Sequence, residues 1–104
     1  MARFDVYAHP DAILRKATPY LVDVQNNYIH RVATRVVLPM RPAASFGPLM
    51  RDLNPVFQIG GADVVLDTTA IAAFPAAELK KPVTSLKTQS EAIVGALDTL
   101  FGSY

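Results

Sequence analysis

The chain has no cysteine among its 104 residues. That excludes disulfides, thiolate zinc sites and cysteine nucleophiles. It also has no excess of either charge: ten Lys plus Arg stand against nine Asp plus Glu, a formal net charge of +1. A protein that grips nucleic acid through its phosphates needs a basic excess gathered on one face. Here the basic residues are scattered, and their longest run is Lys80-Lys81. Direct DNA binding by this chain alone is therefore not expected. No apolar run approaches the roughly 20 residues of a membrane span. The start, Met-Ala-Arg-Phe-Asp, lacks the apolar stretch of a signal peptide. A cytoplasmic protein with no membrane attachment is the expectation.

Recognisable catalytic motifs are missing too. There is no Gly-four residues-Gly-Lys loop and no Gly-x-Gly-x-x-Gly. The two histidines, His9 and His30, fall in predicted turns and read as solvated loop residues, not as a metal pair or general base. Asp63 and Asp67 have alternate-strand spacing, which describes a wet sheet surface better than an acid–base pair. Arg31, Arg35, Arg41 and Arg51 are available to hold a phosphate, but nothing in the sequence gathers them around a nucleophile. The expectation is no catalytic residue, no metal and no cofactor.

What remains is a foldable chain. Hydrophobic residues make up 51% of it, enough for one real core. Charged residues of both signs, at 18%, argue against disorder. The length fits a single domain, 1–104. Phe4, Val6 and Ala8 alternate with Asp5 and Tyr7, the period-two mark of a strand. Residues 9–19 form a loop bracketed by Pro10 and Pro19. Tyr20, Val22 and Val24 then share one strand face, with Asp23 and Gln25 on the other.

Arg35 to Leu38 is a short strand that Pro39 and Pro42 should end, because proline cannot donate to a ladder. A helical turn is expected within 43–50. Val56–Ile59, Gly60-Gly61 and Ala62–Asp67 read as a hairpin, and 70–76 as one more strand broken at Pro75. From about residue 86 the period changes. Ile93, Ala96, Leu97, Leu100 and Phe101 line one face of an α-helix. Thr88 and Glu91 have capping-box spacing at its possible start. Strands first and one helix last predict an antiparallel sheet or small barrel. Such a barrel often leaves one face for a second copy to cover.

The most informative stretch is Tyr20 to Ile29. It reads as a strand that enters a polar turn at Asn26-Asn27, where Asn tolerates positive φ. Two bulky apolar side chains, Tyr28 and Ile29, follow that turn. In a chain without a catalytic motif, this placement points to a surface that grips another protein.

The order Phe4-x-Val6-Tyr7, Val22-Asp23-Val24-Gln25, Val37-Leu38-Pro39 and Pro55-Val56-x-x-Ile59-Gly60 resembles the CcdB family of bacterial toxins. Thr68-Thr69, Phe74-Pro75 and the terminal helix continue the match over nearly the whole chain. The resemblance implies a mainly β protein, an SH3-like barrel of the CcdB/MazF type with a C-terminal α-helix, working as a homodimer. It implies the toxin of a type II toxin–antitoxin system, of the kind used in plasmid maintenance. Such a toxin binds the DNA gyrase A subunit and traps the complex holding cleaved DNA. A CcdA-like antitoxin neutralises it, and DNA is reached only indirectly, through the antitoxin, in transcriptional autoregulation.

Carried over to this chain, the gyrase-binding residues are Phe4, Tyr28, Ile29, Asp98, Leu100, Gly102, Ser103 and Tyr104. The antitoxin-binding residues are Phe4, Tyr7, Arg15, Lys16 and Asn26. The end of the chain departs from the pattern. Well-studied members finish Trp-Gly-Ile after a phenylalanine, where this chain has Gly102-Ser103-Tyr104 after Phe101. Asp98 stands where they carry a polar Asn. Losing a tryptophan from an aromatic hot spot typically costs about 2 kcal/mol or more, and Tyr104 is the ring at hand to replace it. Two alternatives keep the architecture: an endoribonuclease, as related barrel toxins are, and a degenerate, non-toxic member that binds only antitoxin.

Overall fold

The computed structural model describes residues 2–29 and 31–102. These form a mainly β structure of seven strands and a C-terminal helix. The strands are β1 (Asp5–Ala8), β2 (Tyr20–Asp23), β3 (Thr34–Pro42), β4 (Val56–Ile59), β5 (Ala62–Leu66), β6 (Ala72–Pro75) and β7 (Thr84–Ser85). One antiparallel sheet runs β4-β5-β3-β2-β1-β7, with β6 paired on β3, and curls into a nearly closed barrel. A single helical turn, α1 (Ala43–Phe46), packs beside β5, and α2 (Ser90–Phe101) closes the chain.

β3 is the spine. Its Val37–Met40 stretch pairs with β2. Its other edge is shared: Thr34–Val37 pair with β6, and Met40–Pro42 with β5. The strand therefore runs through Pro39, where the sequence reading ended it. The reason is geometric. In an antiparallel ladder a residue's N–H and C=O point to the same side. The Pro39 carbonyl accepts from the Asp67 N–H at 2.9 Å, away from β2. The missing N–H thus faces the gap where β6 has stopped pairing and β5 has not begun. No ladder bond is lost there.

The β4–β5 hairpin turns at Gly60 and Gly61, both at positive φ (61° and 79°). This is the pair of conformations that a tight two-residue turn requires and glycine adopts freely.

The main core is built by alternation. Val6, Val22, Leu38, Met40, Leu66, Val64 and Phe57 fall on the inner face, and Ile93 and Ala96 of α2 pack with them. The opposite face is not wet. Tyr7, Leu21, Val37 and Leu79 form a second buried cluster with Phe74 against it. The expected in–out pattern of β1 thus fails at Tyr7, which is only 2% exposed. Both faces of β1 and β2 are covered, so both read as continuous burial.

α2 starts at Ser90 behind a 3₁₀ turn, Lys87–Gln89, and has no side-chain cap. Thr88 lies in that turn and caps nothing. At the other end Gly102 adopts the left-handed conformation (φ 73°) that commonly stops a helix.

Candidate partner-binding surface

β2 ends at Asp23, and the chain then makes a tight loop held by its own polar side chains. Asn26 Oδ1 accepts from the Tyr28 N–H at 2.9 Å, and the Asn26 carbonyl accepts from the Ile29 N–H at 2.9 Å. This is the local side-chain to backbone bonding for which Asn is favoured in turns. From the N-terminal side, the Arg3 N–H donates to Asn27 Oδ1 at 2.7 Å. Arg3 Nε donates to the Val24 carbonyl at 3.0 Å. The loop is thus tied at both ends.

Tyr28 is 88% exposed and Ile29 47% exposed on this loop. With Arg31 and Val32 they line an open depression of about 480 Å³. The apolar exposure foreseen after the Asn26-Asn27 turn is present.

Beneath the loop lies a charged pair that the sequence reading did not bring together, since it placed Asp23 on a strand face and counted Arg35 among the arginines available to a phosphate. Asp23 is 0% exposed and Arg35 4% exposed. The contact is bidentate: Arg35 Nε donates to Asp23 Oδ2 at 2.8 Å and Nη2 to Oδ1 at 3.0 Å. Burial of an ion pair is tolerated when both partners are fully bonded. Here they are. Arg35 also donates to the Ile29 and Gln25 carbonyls, each at 3.2 Å. Asp23 Oδ1 accepts from the Gln25 N–H at 3.0 Å. The sequence signal for this pair is slight: Asp23 lies between Val22 and Val24, and Arg35 between Thr34 and Val36.

At the helix end, Phe101 is 71% exposed. The sequence placed it on the apolar face of the helix, where core packing was the natural reading. It sits instead past the barrel, beside half-buried Leu100 and exposed Asp98 and Gly102. Ser103 and Tyr104 lie outside the described residues, as does His30.

The remaining expected contacts divide. Arg15, Lys16 and Asn26 are exposed. Arg15 Nε donates to the His9 carbonyl at 2.8 Å, so its head group is partly committed to its own loop. Phe4 is buried in the main core with the Arg3 guanidinium 4.8 Å above its ring, and Tyr7 is buried in the second cluster. Phe4 also takes a positive φ of 75°, rare for a bulky residue, and its N–H donates to the Asp23 carbonyl at 2.6 Å.

His9 is buried, not solvated: its ring meets Phe74 edge-on at 5.7 Å, and its Nδ1 accepts from the Asp11 N–H at 3.0 Å. Asp67 is not paired with Asp63 on a wet face. It accepts from Arg41 Nε at 2.6 Å. Of the four arginines considered for phosphate binding, Arg35 and Arg41 are therefore engaged by carboxylates. No helix among the described residues is long and apolar enough to cross a membrane.

The arrangement can adhere: it presents aromatic and aliphatic side chains on a stapled loop and a helix end. No curated protein matches the chain significantly. A family model described as CcdB protein matches residues 3–102, nearly the whole length, and so agrees with the order of motifs from Phe4 to the terminal helix. The chain belongs to the CcdB family, the toxins of toxin–antitoxin systems.

Proposed function

We propose that this protein binds the A subunit of DNA gyrase and holds the enzyme in its DNA-cleaved state. It acts as a homodimer and makes or breaks no covalent bond. A ligand shifts an equilibrium only by binding one state better than the others, and adhesion alone suffices for that. The contact set is Tyr28, Ile29, Asp98, Leu100 and the terminal Gly102-Ser103-Tyr104, with Phe101 added. Phe4 stiffens the base of the loop. The observation that carries this reading is the large exposure of Tyr28 and Phe101 in a chain of this family. Rigid aromatics of this kind are the usual anchors of protein interfaces.

A CcdA-like antitoxin with an acidic flexible segment neutralises the toxin by covering Arg15, Lys16 and Asn26, with Tyr7 packed underneath. Operon autoregulation then runs through the antitoxin's own DNA contacts, which suits a net charge of +1. The protein works in the cytoplasm, where gyrase is.

The test is a gyrase cleavage assay with the purified chain at micromolar concentration. Accumulation of cleaved DNA is the expected result, with loss of the effect in Tyr28→Ala. No cleaved DNA at that concentration, together with harmless expression in the absence of antitoxin, overturns the reading. A variant lacking Gly102-Ser103-Tyr104 assigns the tail: equal activity removes the tripeptide from the contact.

A further inference from the structure

We infer that Arg35 is a positioning residue for the partner-binding loop: its buried guanidinium sets the backbone of residues 25–29 and so the presentation of Tyr28 and Ile29. This rests on the reading of those two side chains as partner contacts.

The argument starts from donor geometry. A guanidinium offers five N–H donors in a fixed planar fork. Two of them go to the Asp23 carboxylate, at 2.8 and 3.0 Å. That bidentate contact fixes the plane of the fork. With the plane fixed, the remaining donors have set directions, and two of them meet the Ile29 and Gln25 carbonyls at 3.2 Å each. The two carbonyls flank the apolar pair at positions 28 and 29, one before the turn and one at its end. Gln25 repeats the tie, since its Nε2 also donates to the Ile29 carbonyl at 3.0 Å and its Oε1 accepts from the Val36 N–H at 2.9 Å.

On the loop's outer side Tyr28 is 88% and Ile29 47% exposed. Its backbone is held from below, by an arginine that is 4% exposed. A loop ordered before binding does not have to be ordered at the moment of binding, and that difference appears in affinity. Lysine cannot substitute. It is a point donor on a flexible stem, able to reach Asp23 but not to hold Asp23, Gln25 and Ile29 together.

The experiment compares wild type with Arg35→Lys, using three readouts: the urea midpoint, amide exchange residue by residue, and affinity for purified gyrase A subunit. Arg35→Lys is expected to exchange the Tyr28 and Ile29 amides at least tenfold faster while Val22 and Leu38 stay protected. Gyrase affinity per folded molecule should fall at least tenfold. A residue with only a structural part would move the midpoint and leave both the local exchange and the affinity per folded molecule unchanged, which overturns the inference. If Arg35→Lys does not fold, the double variant Asp23→Leu/Arg35→Met removes both buried charges together and leaves no orphaned ion. The same faster loop exchange and weaker binding are expected from it, and wild-type values for either overturn the proposal. Failure of the wild-type chain to bind gyrase A would instead defeat the functional reading. The amide exchange at Tyr28 and Ile29 still decides what Arg35 does.

Discussion

Ile93 and Phe101 lie on one apolar stripe of α2, yet Ile93 is fully buried while Phe101 is 71% exposed. The stripe outlasts the core. α2 packs its first turns on the barrel through Ile93 and Ala96 and then runs past the edge. Substitutions at its two ends should therefore behave oppositely. Ile93→Ala should cost about 2–5 kcal/mol, the range for emptying a close-packed site. Phe101→Ala should leave stability within about 0.5 kcal/mol, as for exposed positions free of special features, while weakening partner binding. Urea titration of both variants decides the matter. A large stability loss in Phe101→Ala would mean that its ring is covered in solution.

Tyr7 gives the pH prediction. Its hydroxyl is buried with no hydrogen-bond partner among the described residues. Burial is the main reason its pKa lies above the ordinary tyrosine value, with Asp5 and Asp23 pushing the same way and Arg35 opposing. A raised pKa in the folded state means that the native protein holds the proton more tightly than the unfolded chain. The corresponding stability is fully present below the unfolded value of about 10 and is lost as pH rises through the folded value. Tyr7→Phe should remove this alkaline component. At neutral pH it should also stabilise by about 1 kcal/mol, because a buried hydroxyl without a partner is costly. Denaturant midpoints at neutral pH and above pH 10 test both signs. Destabilisation of Tyr7→Phe at neutral pH would show that the hydroxyl has a partner after all.

These two sites also mark what could be read without coordinates. The Gly60-Gly61 hairpin and the exposed Tyr28 and Ile29 were legible because turn chemistry is local: glycine supplies the positive φ at 60 and 61, whereas Asn26 and Asn27 are not at positive φ and Asn26 makes its turn by side-chain bonding. The C-terminal helix was legible from its period, though its start was not, since the Thr88 and Glu91 spacing also fits the 3₁₀ turn that precedes it. Pro39 misled because a proline's cost depends on which strand edge its missing donor faces, and β3 changes partner there. Tyr7 and His9 misled for one reason. The outer face of β1 is covered by Leu79 and Phe74, which come from more than 60 residues away in sequence, and no local pattern announces a second layer. The Asp23–Arg35 pair belongs with them: two ordinary polar positions became a buried brace only through the register of β2 on β3.

Arg41 and Asp67 form a second ion pair, Nε to Oδ2 at 2.6 Å, and the Arg41 Nη1 also donates to the Thr18 hydroxyl. The contact ties the end of the long early loop to the sheet. It is partly solvated, with the side chains 34% and 17% exposed. Asp67→Asn should therefore cost no more than about 1 kcal/mol, far less than breaking the buried pair at Asp23. Salt should shrink that cost, because exposed charges are screened. Urea midpoints of wild type and variant at low and high salt give the comparison. A loss that salt leaves unchanged would assign the contribution to hydrogen bonding and not to charge.

Gly102 poses the sharpest trade between fold and function. The resemblance places a tryptophan at this position in well-studied members, whereas here glycine stops α2 in the left-handed conformation, at φ 73°. A Cβ built at Gly102 meets nothing within 4 Å among the described residues. The cost is in the backbone alone, about 1–2 kcal/mol for an L-residue held in that region. Gly102→Trp should therefore lower stability by that amount and still fold. If the terminal segment contacts gyrase A, the added ring should tighten binding by tenfold or more, since a central aromatic at an interface is typically worth about 2 kcal/mol or more. Affinity for purified gyrase A subunit, measured beside the urea midpoint, separates the two effects. Unchanged affinity at the expected stability loss would confine the contact to the Tyr28–Ile29 loop and to Phe101.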